Sequence, residues 1–104
     1  MIPLISVIVP IFNSRTTLSN CINSILNQSM SDFELILVDD GSTDDSLSIC
    51  ELYSNKDSRI RILQQRNSGV THARSLGVNS ARGLWVCFVD SDDTITPDFC
   101  AKLY

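Results

Sequence analysis

Asp90, Asp92 and Asp93 crowd the end of the apolar run Leu84–Val89 in the stretch "LWVCFVDSDDTITPDF". Carboxylates this close repel one another unless solvent screens them, one of them keeps its proton, or a cation sits among them. Side chains at i and i+2 of a strand end project to one side, so Asp90 and Asp92 can face a single ligand. Two hard oxygen donors suit Mg2+ or Mn2+, which draw their remaining ligands from substrate phosphates. The alternative is a turn built of acids that cap and bend the backbone, a use Asp equally favours.

A second acidic loop lies at "VDDGSTD". Asp39 or Asp40 can accept hydrogen bonds from a base or a ribose hydroxyl. Gly41 fits a strand-to-helix turn at positive φ, with Asp44 and Asp45 stabilising the helix start. Arg74, in "NSGVTHARSLG", falls in the first turns of a helix, where it either pairs with a diphosphate or lies on a solvated face. His72, the one histidine, reads as a surface residue, and Trp85 and Phe88 read as core. No G-x-G-x-x-G follows the first apolar run and no Walker A motif is present, which excludes dinucleotide and P-loop chemistry. No Ser-His-Asp or Cys-His arrangement can be built either.

The elements that must position these groups alternate strand and helix four times. "LISVIV" (Leu4–Val9) is a β-branched run stopped by Pro10. Leu18, Cys21, Ile22, Ile25 and Leu26 then mark one helical face, with Ser14 or Thr16 as N-cap. "FELILV" (Phe33–Val38) is the second strand, followed by a helix capped by Ser42, Thr43 or Asp44 that turns Leu47, Cys50 and Tyr53 inward. "RIRIL" (Arg59–Leu63) alternates polar and apolar, as a strand near a sheet edge does. A third helix carries Val70, Ala73, Leu76, Gly77 and Ala81 inward and ends at Gly83. "LWVCFV" is the fourth strand, and Thr96-Pro97-Asp98 opens a last helix with Thr96 as N-cap.

Four βα units predict an α/β fold: a parallel, doubly wound, Rossmann-like sheet with helices on both faces. Strand order 3-2-1-4 is expected, reversing between the first and fourth strands. Ligands bind beyond the carboxyl ends of such a sheet at the reversal, which would bring Pro10–Asn13 beside Asp90–Asp92. Residues 1–104 read as one incomplete domain, truncated partway through the last helix.

Composition narrows the class further. With 43% hydrophobic and 19% charged residues the chain is an ordinary globular one, and its net charge of −4 argues against a nucleic-acid partner. No apolar run reaches the ~20 residues needed to span a bilayer, and "MIPLISVIVP" lacks the features of a signal peptide. Cys21, Cys50, Cys87 and Cys100 never form a C-x-x-C pair, so zinc is not expected and reduced, packed thiols are. A cytoplasmic location follows as the expectation.

Taken in order, "SVIVPIFN", "LILVDDGSTDDS", "NSGVTHARSLG" and "GLWVCFVDSDD" resemble the inverting family-two glycosyltransferases of the GT-A fold. The resemblance runs from about Ser6 to Pro97. It implies a nucleotide-sugar donor, commonly a UDP-sugar, and a saccharide or lipid-linked acceptor of the kind used in polysaccharide biosynthesis. It implies that Pro10, Phe12 and Asn13 line the base pocket and that Asp39 or Asp40 contacts base or ribose. Asp90 and Asp92 would be the metal-binding Asp-x-Asp on the donor diphosphate, with Asp92 the more direct ligand of Mn2+ or Mg2+. Arg74 matches an arginine that contacts nucleotide or phosphate, although Ser75 stands where Asn usually follows it. The general base is expected beyond Tyr104, so the chain would carry the donor site alone. Peripheral association with the inner membrane face through further segments, and self-association through an exposed sheet edge, are further expectations.

Two other readings compete. "VCFVDSDDT" also resembles the D-x-D-x-T motif of haloacid-dehalogenase-type phosphatases, which would make Asp90 a nucleophile and Asp92 an acid/base. There the motif closes the first strand of the core, whereas here three βα units precede it. The other is a non-catalytic nucleotide-binding module.

Overall fold

A computed structural model describes residues 2–103. The chain runs β1 (Ile5–Ile11), α1 (Leu18–Leu26), β2 (Phe33–Asp39), α2 (Ser46–Lys56), β3 (Ile60–Gln64), α3 (Val70–Ser80), β4 (Trp85–Phe88) and α4 (Phe99–Leu103). All strand pairs are parallel and the order is β3-β2-β1-β4, the arrangement that four βα units predict. The expected chain end within a helix at Tyr104 lies outside the described residues. No helix among them is long and apolar enough to cross a membrane.

β1 and β2 are buried along their whole length because both faces are covered. Odd-numbered residues Ile5, Val7, Val9 and Ile11, with Leu35 and Leu37, pack against Leu18, Cys21, Ile22 and Ile25 of α1, Cys50 of α2 and Cys100 of α4. Even-numbered Ile8, Ile36 and Val38 meet Ala73 of α3 on the other face. Gly77 lets α3 lie close: a Cβ there would stand 2.5 Å from Ile8 Cγ2. At the amino end of the sheet, Glu34 accepts hydrogen bonds from Ser6 Oγ (2.6 Å), Arg82 N (2.6 Å) and Arg61 Nη1 (2.8 Å). Gly83 N donates to Ser6 Oγ at 2.8 Å, so this buried network fixes where the chain enters β4.

Several local expectations are corrected. β1 does not stop at Pro10 but runs on to Ile11. Ile11 O accepts from Asp40 N and Ile8 O from Val89 N, so odd residues bond β2 and even residues bond β4. Pro10 therefore turns its missing N–H toward β4, where pairing has already ended at Ile8↔Phe88. β3 is shifted by one residue from its expected start, and α3 ends at Ser80 rather than at Gly83. Of the residues expected as N-caps, Asp44 alone among the described residues bonds the first N–H of its helix by side chain. Thr17 precedes α1 without such a bond, while Ser46 N donates to Asp44 Oδ1 at the start of α2. Thr96, Pro97 and Asp98 form a turn ahead of α4, and Thr96 Oγ1 bonds the Asp98 carboxylate instead of a helix N–H.

The largest correction concerns β4. Trp85 is 58% and Phe88 43% exposed, so neither is core. An apolar run reads the same for a central strand and for an edge strand; the edge position of β4 leaves one flank uncovered among the described residues.

Candidate functional site

Beyond Phe88 the sheet opens at its reversal point. β1 continues beside β2 as far as Ile11↔Asp39, while the chain after β4 turns away. The gap between them is a cleft of about 500 Å³, lined by Pro10, Phe12, Asn13, Asp40, Val70, Asp90 and Asp92 among others. The two groups of residues that sequence spacing placed at opposite ends of the chain thus share one wall-to-wall site. Arg74 and Asp39 do not line this cleft; Arg74 borders two smaller depressions with Phe88.

The acidic segment is a turn rather than a prolonged strand, because Asp93 N bonds Asp90 O at 3.0 Å. The i, i+2 argument for Asp90 and Asp92 therefore gives way to a different geometry that also draws in Asp93. One carboxylate oxygen from each of Asp90, Asp92 and Asp93 lies within 4.8 Å of the others, and all three residues are exposed. Three converging hard oxygens with open solvent around them fit a Mg2+- or Mn2+-type ion that keeps water or phosphate ligands. Arg74 Nη2 stands 3.3 Å from Asp90 Oδ1, and its guanidinium lies 5.7 Å from the Phe88 ring centre. Arg74 Nε is enclosed without a hydrogen-bond partner.

Asp40, only 4% exposed, is heavily committed. Its Oδ1 accepts from Gln65 Nε2 (2.8 Å) and Ser68 N (2.7 Å), and its Oδ2 accepts from Gly69 N (3.0 Å). Burial alone would raise its pKa, but the Ser68, Gln65 and Gly69 hydrogen bonds outweigh it and hold the carboxyl below its ordinary value. Asp40 thereby ties the loop after β3 and the start of α3 to the end of β2. Asp39 Oδ2 accepts a long bond from Ser42 N (3.3 Å), while its Oδ1 is enclosed with no partner. Gly41 does adopt the expected positive φ, at 73°.

Asn13 sits in the left-handed region at φ 50° and uses its side chain across the fold. Its Oδ1 accepts from Thr43 N (2.8 Å) and Asp44 N (3.3 Å), tying the loop after β1 to the approach to α2. Spacing missed the residues that join this loop to the acidic turn. Ser14 Oγ and Ser91 Oγ share a 2.6 Å hydrogen bond, and Thr17 Oγ1 donates to Ser91 O at 3.0 Å. The partners are 77 and 74 residues apart, so no local signal reveals them. Behind the turn, Cys21 Sγ reaches Asp90 O at 3.5 Å. Its thiol is pushed up to about 12, first by burial and then by the charges of Asp93, Asp92 and Asp90, so it stays protonated. All four cysteines are free thiols. His72 is exposed on α3 and does not line the cleft.

Residues 6–104 match the family model described as glycosyl transferase family 2. The chain is 47% identical over 103 residues to the uncharacterized glycosyltransferase EpsJ of Bacillus subtilis (strain 168), covering 99% of this chain and 30% of that protein. It superposes with a TM-score of 0.90 and 38% identity on S. aureus TarS 1-349 in complex with UDP-GlcNAc, covering 96% of this chain and 30% of the other. The mannosyltransferase PcManGT from Pyrobaculum calidifontis, solved with GDP-Man and Mn2+, shares the fold at a TM-score of 0.87 and 23% identity, over 97% of this chain and 31% of that one. The chain thus spans about 30% of the length of EpsJ and of TarS 1-349. A match over nearly the whole chain overrides the phosphatase reading, which rested on the short D-x-D-x-T string. The chain shares the Rossmann-like GT-A sheet of these structures and belongs to glycosyl transferase family 2.

Proposed function

We propose that the chain is the donor-binding part of an inverting glycosyltransferase that takes a nucleotide-diphosphate sugar, of the uridine type, together with Mn2+ or Mg2+. The observation that carries this reading is the meeting of the acidic turn with the Pro10–Asn13 loop in one cleft at the sheet reversal. Phe12 and Val70, both about half exposed, offer apolar surface to a base. Asn13 offers polar atoms beside it, and Asp40, bonded to Gln65, Ser68 and Gly69, holds the wall behind. Asp92 and Asp90, with Asp93, hold the cation. TarS, 38% identical, was crystallised with UDP-GlcNAc, which supports a uridine donor here.

A bound dication supplies positive charge against the charge that gathers on the departing nucleoside diphosphate. This chain's residues fix where that charge is met: the turn aims three carboxylates at one point, and Arg74 stands beside Asp90 as a guanidinium donor for phosphate oxygen. The acceptor hydroxyl, on a saccharide or a lipid-linked saccharide, must lose its proton to a general base. Asp40 has both oxygens engaged and the acidic turn is reserved for the cation. As the family resemblance implies, the base is assigned outside these residues, which leaves the chain the donor site only. A lipid-linked acceptor would place the enzyme at the cytoplasmic membrane face.

Titration calorimetry with UDP, run with Mn2+ and again with chelator, tests the reading. Binding is expected only with the metal, because the acidic turn otherwise repels a diphosphate. Asp92→Asn should abolish the metal dependence. Equal binding in both conditions, or none at millimolar UDP by folded protein, overturns the proposal.

A further inference from the structure

After the Val89 N to Ile8 O bond the chain leaves the sheet, and residues 89–98 form no strand or helix. Peptide groups in such a segment need partners when they are covered. Here α1 and the turns that flank it supply them from side chains. Ser14, Thr17, Cys21, Ser24 and Gln28 fall at i, i+3, i+7, i+10 and i+14, one row along a helix surface. Ser14 and Thr17 hold Ser91, and the Cys21 thiol points at Asp90 O. Ser24 Oγ accepts from Ile95 N at 3.1 Å. Gln28 Nε2 donates to Thr96 O (2.8 Å) and its Oε1 accepts from Cys100 N (2.9 Å).

The row is also braced internally. Ser24 Oγ donates to Cys21 O at 2.7 Å, which leaves a lone pair for Ile95 N. Gln28 Nε2 donates to Ser24 O at 3.0 Å as well as to Thr96 O. Gln28 is 7% exposed, and neither it nor Ser24 lines the cleft. A helix that contributes no ligand to the candidate cation thus holds the chain on the far side of the acidic turn.

We propose that this row along α1 and its flanking turns is the positioning element of the Asp90–Asp93 turn, and that Ser24 and Gln28 are positioning residues that set where its carboxylates converge. The cation-binding half of the proposal rests on the donor-site reading above. Carboxylates on an irregular segment keep a ligand geometry only if the segment is held from behind, and partners of that kind tune metal affinity without touching the ion.

The test compares Ser24→Ala, Gln28→Leu and Ser24→Thr with the wild-type chain. Two quantities are read: amide hydrogen exchange by NMR, and Mn2+ affinity in the presence of UDP by electron paramagnetic resonance. Ser24→Ala should speed exchange at Ile95, and Gln28→Leu at Cys100, by about tenfold, with β1 and β2 amides unchanged. Both should weaken Mn2+ binding by about tenfold. Ser24→Thr, which keeps the hydroxyl, should restore both readings toward wild type. Ser24→Ala, a substitution favourable to helix, carries the test if Gln28→Leu fails to fold. Faster exchange with unchanged Mn2+ affinity would make the row merely structural and overturn the proposal, as would unchanged exchange. A wild-type chain that takes up no Mn2+ refutes the donor-site reading instead. The amide shifts of Asp90 and Asp93 then decide, since their constancy across the variants overturns the positioning role.

Discussion

Replacing Asp40 by Ala should cost this chain more stability than any other single change at the cleft. The carboxylate takes three hydrogen bonds, from Gln65 Nε2, Ser68 N and Gly69 N, at 2.7 to 3.0 Å. Bonds to an ionised acceptor contribute about 1.5–3 kcal/mol each. Two offsets reduce the sum: Ser68 and Gly69 are exposed, so water recovers part of the loss, and a charge no longer has to be buried. A net loss of about 2–4 kcal/mol remains, which for a domain this small lowers Tm by about 10–20 °C. Urea and thermal melts followed by circular dichroism read it directly. The pH dependence gives a second handle. Asp40 is held below its ordinary value of 3.8 despite burial, so its contribution is full above that value and fades as pH falls through the folded-state pKa. The gap between wild type and Asp40→Ala should therefore narrow below pH 3.8. A loss under about 0.5 kcal/mol, or a gap that widens with acid, would refute the account of Asp40 as the tie between β2 and α3.

Glu34→Gln should destabilise the chain at neutral pH and flatten its acid limb. Burial raises the Glu34 pKa, yet Ser6, Arg82 N and Arg61 together hold it below 4.5, so wild-type stability must fall as pH drops through the folded-state value; parallel acid limbs in melts of the two proteins would count against this. Gly41→Ala should cost about 2–3 kcal/mol by urea unfolding, since φ is 73° and a Cβ would meet Asn67 N at 2.8 Å; an unchanged midpoint would show that the turn can relax.

The alternation of apolar runs with helical faces was enough to read four βα units, and with them the sheet order and the meeting of Pro10–Asn13 with the acidic turn. These features depend on period and on parallel-sheet handedness, which one sequence carries in full. The exposure of Trp85 and Phe88 was not legible, because burial of a strand depends on what lies beside it and not on its own residues. Pro10 misled for a related reason. Its missing N–H ends a strand only if a partner needed it, and here β4 has already stopped. Ser42 was a false cap candidate because a long-range acceptor takes the N–H it would have reached: Asp44 N bonds Asn13 Oδ1. The roles of Ser24 and Gln28 were hidden altogether, since polar residues on a helix look alike whether they face water or a neighbouring loop.

The same topology that makes the cleft also leaves its width weakly determined. Backbone ladders tie β1 to β2 as far as Asp39, but on the other side they end at Phe88, before the first carboxylate of the turn. From there the spacing between Pro10–Asn13 and Asp90–Asp93 depends on side chains, Ser14 on Ser91 and Thr17 on Ser91 O. Neutral hydrogen bonds of this kind contribute about 1 kcal/mol each, far less than a continued ladder of several bonds. A nucleoside diphosphate with its cation would bridge the same two loops with charged contacts of greater strength. The Pro10–Asn13 loop and the acidic turn are therefore coupled mainly through Ser91, the residue between Asp90 and Asp92. Loss of its hydroxyl would remove the Ser14 tie alone, with Thr17 still holding Ser91 O and every candidate ligand left in place.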